Sequence, residues 1–490
     1  MKLDQNDFRL LKGRLYGKNA NVAVDYFGHK PGSFAKYEGT QGGYINLSDE
    51  RRDYLHMGHL AKSFQPIEWL KTHQNEISLL VIEKPIPELA DSISQFIVNN
   101  TWEFYKEVAA YVRAMYQGQV IAITGSVGKS TTRLMIKKLL DDTHAKVLSN
   151  FRNDNTRQTV PQLLTSLLEA PDVLVAEISI NALNGRDHGP ISPMLKSNVA
   201  VITQIGGAHL EELQNQEDPT MFLAERKTRI FRGMSADGAA IINRDMEPRI
   251  YRYVRRRALE KVQRIYTFSF HDEQADAYVL STENFRDYTE LTLNILDETV
   301  QVNLSMPGTG VIMDLLASAL AVKSLNRELP ESLAQSFADF QALNSELKFQ
   351  RVTTPNGTVT VVDDTHGSTL HSVNNVISVF KERGAFYAGD KVLVMETGED
   401  LGEQASEYNM KFKDGIVASG IDTFIGYRDE YIRPLEQALT DEIKTDFYQE
   451  LPPVISKIEA LPDDSLVIVK ASDGRKYGSD LWTLPTKFAK

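Results

Sequence analysis

The chain has 490 residues, with 54 Lys and Arg against 66 Asp and Glu for a formal charge of -12, and it contains no cysteine. Such a length predicts about three domains, each large enough to bury its own core. The acidic balance argues against a nucleic-acid binder, and the missing thiols exclude disulfides, thiolate metal sites and cysteine nucleophiles, so any metal chemistry must use oxygen or imidazole.

The opening MKLDQNDFRLLKGRLYG breaks every apolar stretch with charge, so no cleaved leader is expected. The longest apolar runs fall far short of the ~20 residues that span a bilayer, so a soluble protein without membrane insertion is expected. Up to about residue 118, Gly-rich and aromatic-rich loops surround one helical pattern, Trp102 to Tyr116, and announce no chemistry. From Gln119 the texture changes. The run VIAIT reads as a buried strand, a Gly-rich turn follows, and TTRLMIKKLLDD reads as a helix. Further interior strands are expected at Val173 to Glu177, Val199 to Gln204 and Ala239 to Ile242. A polar turn near Arg327 to Pro330 precedes a second α/β series, with strands at Thr358 to Asp363, Lys391 to Met395 and Leu466 to Lys470.

The turn between the first strand and helix is Gly125-Ser126-Val127-Gly128-Lys129-Ser130, followed by Thr131. Glycines let a backbone turn tightly and aim N–H groups at phosphate oxygens, and the helix N-terminus adds positive potential. Lys129 is placed to reach the β- and γ-phosphates and Ser130 to ligate magnesium. The spacing is shorter than the common form of this loop, but strand, helix and Lys-Ser pair together point to nucleoside triphosphate binding.

TGSVGKSTT resembles the ATP loop of the Mur ligases, and the similarity continues in order over residues 119 to 490. Asn153-Asp154-Asn155-Thr156 with Pro161 resembles that family's Asn-rich segment. The strand ending at Glu177 resembles the one carrying its magnesium ligand. TQIGGAHLEEL resembles TNIGxAHLE, whose histidine, here His209, contacts a second magnesium. AERKTRIF resembles AxxKxEIF, whose lysine, here Lys227, is carbamylated; a solvated surface lysine is the alternative for this position. A carbamate would turn an ammonium that repels the metal into an oxygen donor. Asn243 and Asp245 resemble the N-x-D segment at the nucleotide, and Asp363-Asp364 opens a segment resembling DDSYNANPDSM. METGEDLGE and VKAS resemble LGDMLELGE and VKGS of the D-alanyl-D-alanine-adding branch, which implies Lys470 or Ser472 as a contact of the acceptor.

The resemblance implies an α/β protein of three domains. Residues 1–118 would form a divergent N-terminal domain for the carboxylate donor, 119–330 a central P-loop domain on a parallel sheet, and 331–490 a Rossmann-like domain for the amine acceptor. It implies a cytoplasmic, monomeric ligase that uses ATP and Mg2+ to join a carboxylate to an amine through an acyl phosphate. Lys129, Glu177, His209 and Lys227 would carry the catalysis, and Ser130, Glu177, His209 and Lys227 the metal. The sequence also departs from the family. Nothing like its DGHxF segment occurs in the N-terminal region, Gln204 replaces Asn, Gly310 and Asp314 stand where His and Asn are expected near the adenine, and Asp473 replaces a basic residue after VKAS. A Mur-type ligase acting on a non-wall carboxylate, such as a poly-glutamate or natural-product precursor, and an inactive nucleotide-binding regulator therefore remain as alternatives. A P-loop motor or switch ranks below them, because it leaves the DD and VKAS segments without a role.

Overall fold

The computed structural model describes the whole chain except residues 18–21, 30–41, 56–65, 74–75, 185–190, 207–215, 342–345, 366, 369, 399–403, 473–478 and 489–490. Its described strands form three sheets. The first holds β1 (Arg14–Tyr16), β2 (Tyr26–Gly28), β3 (Gly42–Ile45), β4 (Ile77–Ile82) and β5 (Ser94–Ile97) in the order β1-β5-β4-β3-β2. All of its pairs are parallel except β1 with β5. Tyr26, Tyr44, Leu80 and Ile93 build its core, so the region that offered little pattern in the sequence is a folded α/β layer. The helix that follows is Thr101–Met115, one residue displaced at each end from the expected span, because the Asn100 side chain accepts from the N–H groups of Trp102 and Glu103 and fixes its start.

The second sheet has nine strands, ordered β14-β13-β12-β11-β10-β9-β6-β8-β7. They are β6 (Gln119–Thr124), β7 (Val147–Ser149), β8 (Val173–Glu177), β9 (Val199–Ile202), β10 (Ala239–Asn243), β11 (Arg264–Ser269), β12 (Ala277–Asn284), β13 (Thr289–Ile295) and β14 (Glu298–Leu304). Strands β9 to β12 run parallel, whereas β12 to β14 form an antiparallel meander. Val120, Ile121, Ala122 and Ile123 are completely buried, as an interior strand of a parallel sheet requires. Burying each large apolar side chain stabilises by about 1.5–3 kcal/mol relative to exposure, so the loop after β6 stands on a firmly held strand.

The third sheet is ordered β15-β16-β20-β17-β18-β19. It comprises β15 (Lys348–Thr354), β16 (Gly357–Asp364), β17 (Lys391–Met395), β18 (Thr423–Tyr427), β19 (Lys444–Tyr448) and β20 (Ser465–Lys470). Only β15 is antiparallel to its neighbour. Val361, Val394, Ile425 and Val467 lie in one of its cores. By backbone proximity the chain divides into two compact units. One is Met1–Ala122 with Ala145–Asn198 and Arg229–Ser235; the other is Ile123–His144, Val199–Thr228 and Ala236–Lys490.

Candidate active site

The phosphate loop begins where β6 ends, and its shape follows from contacts to the segment after β9. The Ser126 N–H donates to the Gln204 carbonyl at 2.6 Å, the Thr203 hydroxyl to the Val127 carbonyl at 2.5 Å, and the Gly206 N–H to Ser126 Oγ at 3.0 Å. A Cβ on Gly125 would lie 1.8 Å from Thr203 Oγ1, so this tie requires glycine there. Gly128 has φ +81° and caps the Lys129–Asp142 helix, and neither a side-chain cap nor an acidic residue occupies the first turn. The first N–H groups of that helix therefore meet no built-in anion, which is the arrangement that receives phosphate.

Two lysines converge on the loop. Lys129 Nζ donates to the Ser126 carbonyl at 3.2 Å, and Lys227 Nζ donates to the Gly125 carbonyl at 2.7 Å. Lys227 is only 3 % exposed, which removes the alternative of a solvated surface lysine. Burial, with Lys129 adding repulsion, holds its ammonium pKa well below the usual lysine range.

Behind the loop lies Asp314, on the buried Thr309–Ser324 helix. Its Oδ1 accepts from the Thr132 hydroxyl at 3.0 Å, and Ser318 Oγ, which donates to the Asp314 carbonyl at 2.6 Å, also reaches the Thr132 carbonyl at 3.2 Å. Burial pushes the Asp314 carboxyl well above the ordinary carboxylate range; the Thr132 hydrogen bond and Lys129 oppose this and Glu346 reinforces it. Because the folded value is raised, the folded state holds the proton more tightly, so stability is fully present below the unfolded carboxylate value and is lost as pH rises through the folded one. Asp314→Asn is expected to flatten that decline, measured by urea unfolding across a pH series. Gly128→Ala should destabilise by at least about 1–2 kcal/mol and weaken ATP binding, since the left-handed conformation penalises a side chain. The added Cβ would also lie 2.3 Å from Asp314 Oδ1. Denaturant unfolding with and without ATP checks both effects.

Glu177, at the end of β8, is 1 % exposed. Its Oε1 accepts from Asn155 Nδ2 at 2.8 Å, while Asn150 clasps its backbone, Oδ1 accepting from the Glu177 N–H at 2.6 Å and Nδ2 donating to its carbonyl at 3.0 Å. The Asn-rich segment thus holds this carboxylate in place.

Residues 123–322, from the last part of β6 through the Thr309–Ser324 helix, match the family model described as Mur ligase middle domain. The chain carries a Mur ligase middle domain. It is 25% identical over 343 residues to the UDP-N-acetylmuramoyl-tripeptide--D-alanyl-D-alanine ligase of Escherichia coli (strain K12), an alignment covering 70% of this chain and 71% of that protein. Its fold is that of a crystal structure of MurF from Acinetobacter baumannii, with TM-score 0.74, 19% identity, and coverage of 98% of this chain and 99% of the other. The MurF ligase from Thermotoga maritima in complex with ADP superposes with TM-score 0.71 at 17% identity, over 94% and 96% of the two chains.

Among the remaining family positions, His209 lies outside the described residues. Asn243 Nδ2 donates to Gln204 Oε1 at 2.9 Å, which ties β10 to the segment that shapes the loop. Asp245 accepts from the Ser269 hydroxyl and, at 2.7 Å, from the Phe270 N–H, so it anchors the turn after β11. Asp363 Oδ1 accepts from the hydroxyl and N–H of Thr365 at 2.8 and 3.2 Å and closes a turn at the end of β16. Asp364 faces Lys470 across adjacent parallel strands, and the two form a buried ion pair at 2.6 Å, with side-chain exposures of 9% and 1%. Thr203 and Glu396 were not singled out from the sequence, and Asp314 was noted there only as a departure from an expected Asn near the adenine. Asp314 did leave a signal, as the single acid within the otherwise apolar run GVIMDLLASALAV.

Proposed function

We propose that the protein is an ATP-dependent amide ligase that activates a carboxylate as an acyl phosphate and passes the acyl group to an amine. The observation that carries this reading is the phosphate loop of a Mur ligase middle domain with Lys129 and the buried Lys227 both on its carbonyls. A carboxylate oxygen of the donor attacks the γ-phosphorus of ATP, and ADP leaves. The amine nitrogen then attacks the acyl carbon, the C–N bond forms, the C–O bond to phosphate breaks, and the nitrogen gives up its proton. Phosphate departs with one oxygen of the donor. Phosphoryl transfer needs alignment and charge neutralisation more than a covalent protein partner. Lys129 and the uncapped first turn of its helix supply positive potential at the phosphates.

Mg2+, when bound, neutralises phosphate charge. The hydroxyl of Ser130 and the buried carboxylate of Glu177 are the hard oxygen donors that suit it. Lys227, with its proton weakly held, more readily gives the neutral amine that reacts with carbon dioxide, and a carbamate there would add a further oxygen donor. His209 would complete the set as the family resemblance has it. We assign donor binding to residues 1–118, ATP to 119–330 and the amine to 331–490, in a cytoplasmic enzyme; among the described residues no helix is long and apolar enough to cross a membrane.

The leading substrate pair is a UDP-muramoyl tripeptide with D-alanyl-D-alanine, as in the names of the relatives. A second reading, the same chemistry on another carboxylate, is favoured by the absence of a DGHxF segment from the N-terminal region. Phosphate release from ATP and Mg2+ with the wall pair, alongside a panel of other carboxylates and amines with product masses recorded, tests both. Amide formation with the wall pair is expected; product from other pairs alone would select the second reading. ATP binding without amide from any pair would reject the ligase reading.

A further inference from the structure

The carboxyl ends of the third sheet hold an acid that the reaction above leaves unused. Glu396 follows β17 and is 6 % exposed. One carboxylate oxygen accepts from the Ser472 N–H at 3.1 Å, just past β20, and the other from the Ser479 hydroxyl. Both donors are neutral, and no Lys, Arg or His forms an ion pair with Glu396 among the described residues. Burial pushes its carboxyl up, with Asp429 and Asp480 adding to the effect. The Arg428 guanidinium close by pairs with Asp480 at 3.4 Å. A buried charge is ordinarily paired, and a carboxylate with two donors still has lone pairs to offer.

Two further polar atoms at this end lack partners. Ser472 Oγ is buried and unbonded, on the residue whose N–H Glu396 holds. Asn409 Oδ1 is also unbonded, while its Nδ2 donates to Thr397 Oγ1, next to Glu396, at 3.0 Å. Buried polar atoms are seldom left so, and open parallel sheets bind ligands beyond the carboxyl ends of their strands. In the run METGEDLGE, Glu396 falls where the related LGDMLELGE has glycine, so the acid is a departure of this chain.

We propose that the ends of β17 and β20 form a subsite for a cationic group of the amine acceptor, with Glu396 as its counter-charge and the Ser472 hydroxyl as its hydrogen-bond partner. This rests on the ligase reading. The cation is a second one, beside the amine that reacts, because the reacting nitrogen ends as a neutral amide and would leave the carboxylate unpaired again. The preferred acceptor is therefore a diamino compound or a peptide with a basic side chain, and D-alanyl-D-alanine, which lacks the second cation, is the more weakly held substrate of the same site.

The test is calorimetric binding to the full-length protein of D-alanyl-D-lysine and D-alanyl-D-norleucine, which differ by the terminal ammonium. The wild type is expected to prefer the lysyl probe by about ten-fold or more, as a charge-assisted contact implies. Glu396→Gln, which keeps the shape and hydrogen bonding of a neutral acid, should bring the two probes to parity without lowering Tm. Ser472→Ala should weaken the lysyl probe alone. Equal binding of both probes by the wild type, absence of binding by either, or a preference that survives Glu396→Gln would overturn the subsite. Failure of the ligase reading is separate, since it appears as no amide from any pair, whereas failure of the subsite leaves amide formation in place without charge preference.

Discussion

Lys129→Ala is expected to lower amide formation by about 10²–10³-fold, the scale on which a single donor aimed at developing charge is felt. The fold should survive, because Lys129 stands at the first position of its helix and, among the described residues, its Nζ makes one hydrogen bond, at 3.2 Å to the Ser126 carbonyl. The loop keeps its other ties, from Thr203, Gln204, Gly206 and Lys227. Steady-state rates with circular dichroism and thermal unfolding on the same sample separate the two effects. A folded variant with undiminished turnover would show that the phosphates lie elsewhere.

The second large effect is on stability. Lys470→Ala should cost about 3–5 kcal/mol, because it leaves the Asp364 carboxylate buried without its counter-charge. Lys470 Nζ is 2.6 Å from Asp364 Oδ2 and also donates to the Gly367 carbonyl, so removing it frees a buried carboxylate and a part-buried carbonyl. For a domain of this size the loss corresponds to a Tm drop of about 10 °C. Replacing both partners by apolar residues, Lys470→Met with Asp364→Leu, should recover most of it, since a buried pair contributes little net stability over a packed apolar pair. The family resemblance led to Lys470 as a candidate acceptor contact. In the structure its ammonium is already committed to Asp364 and Gly367. A Lys470→Ala protein with unchanged Tm but a raised KM for the amine would restore the acceptor role.

How much of this was legible in the sequence depended on whether a residue's neighbours in space were also near it in the chain. The phosphate loop was readable because strand, turn and helix are contiguous, and Glu177 because its strand is uniformly apolar and ends on a single acid. The meander β12 to β14 went unassigned although TELTLNI alternates buried and half-exposed positions, since no motif drew attention to it. In the N-terminal sheet β2 and β3 have three and four residues, too short for any period to register.

Other features could not be read along the chain at all. Lys227 and Gly125 meet at |i−j|=102, and Asp314 and Thr132 at |i−j|=182. A local pattern therefore left Lys227 between a surface lysine and a carbamate, and marked Asp314 only as a departure from the expected Asn. Folding removes the surface alternative by burying the Lys227 side chain against the loop, and gives Asp314 a physical content, a buried acid behind the loop that holds its proton more tightly than usual. Asp363 and Asp364 look alike in sequence, yet successive residues of a strand point to opposite faces, so one closes a turn and the other enters an ion pair.

The most direct test of the central claim follows oxygen. With donor carboxylate labelled by 18O, one labelled oxygen is expected in the phosphate released for each amide formed, because the acyl–oxygen bond to phosphate is the bond that breaks. Phosphate that carries oxygen only from water would mean simple ATP hydrolysis and would contradict acyl-phosphate activation.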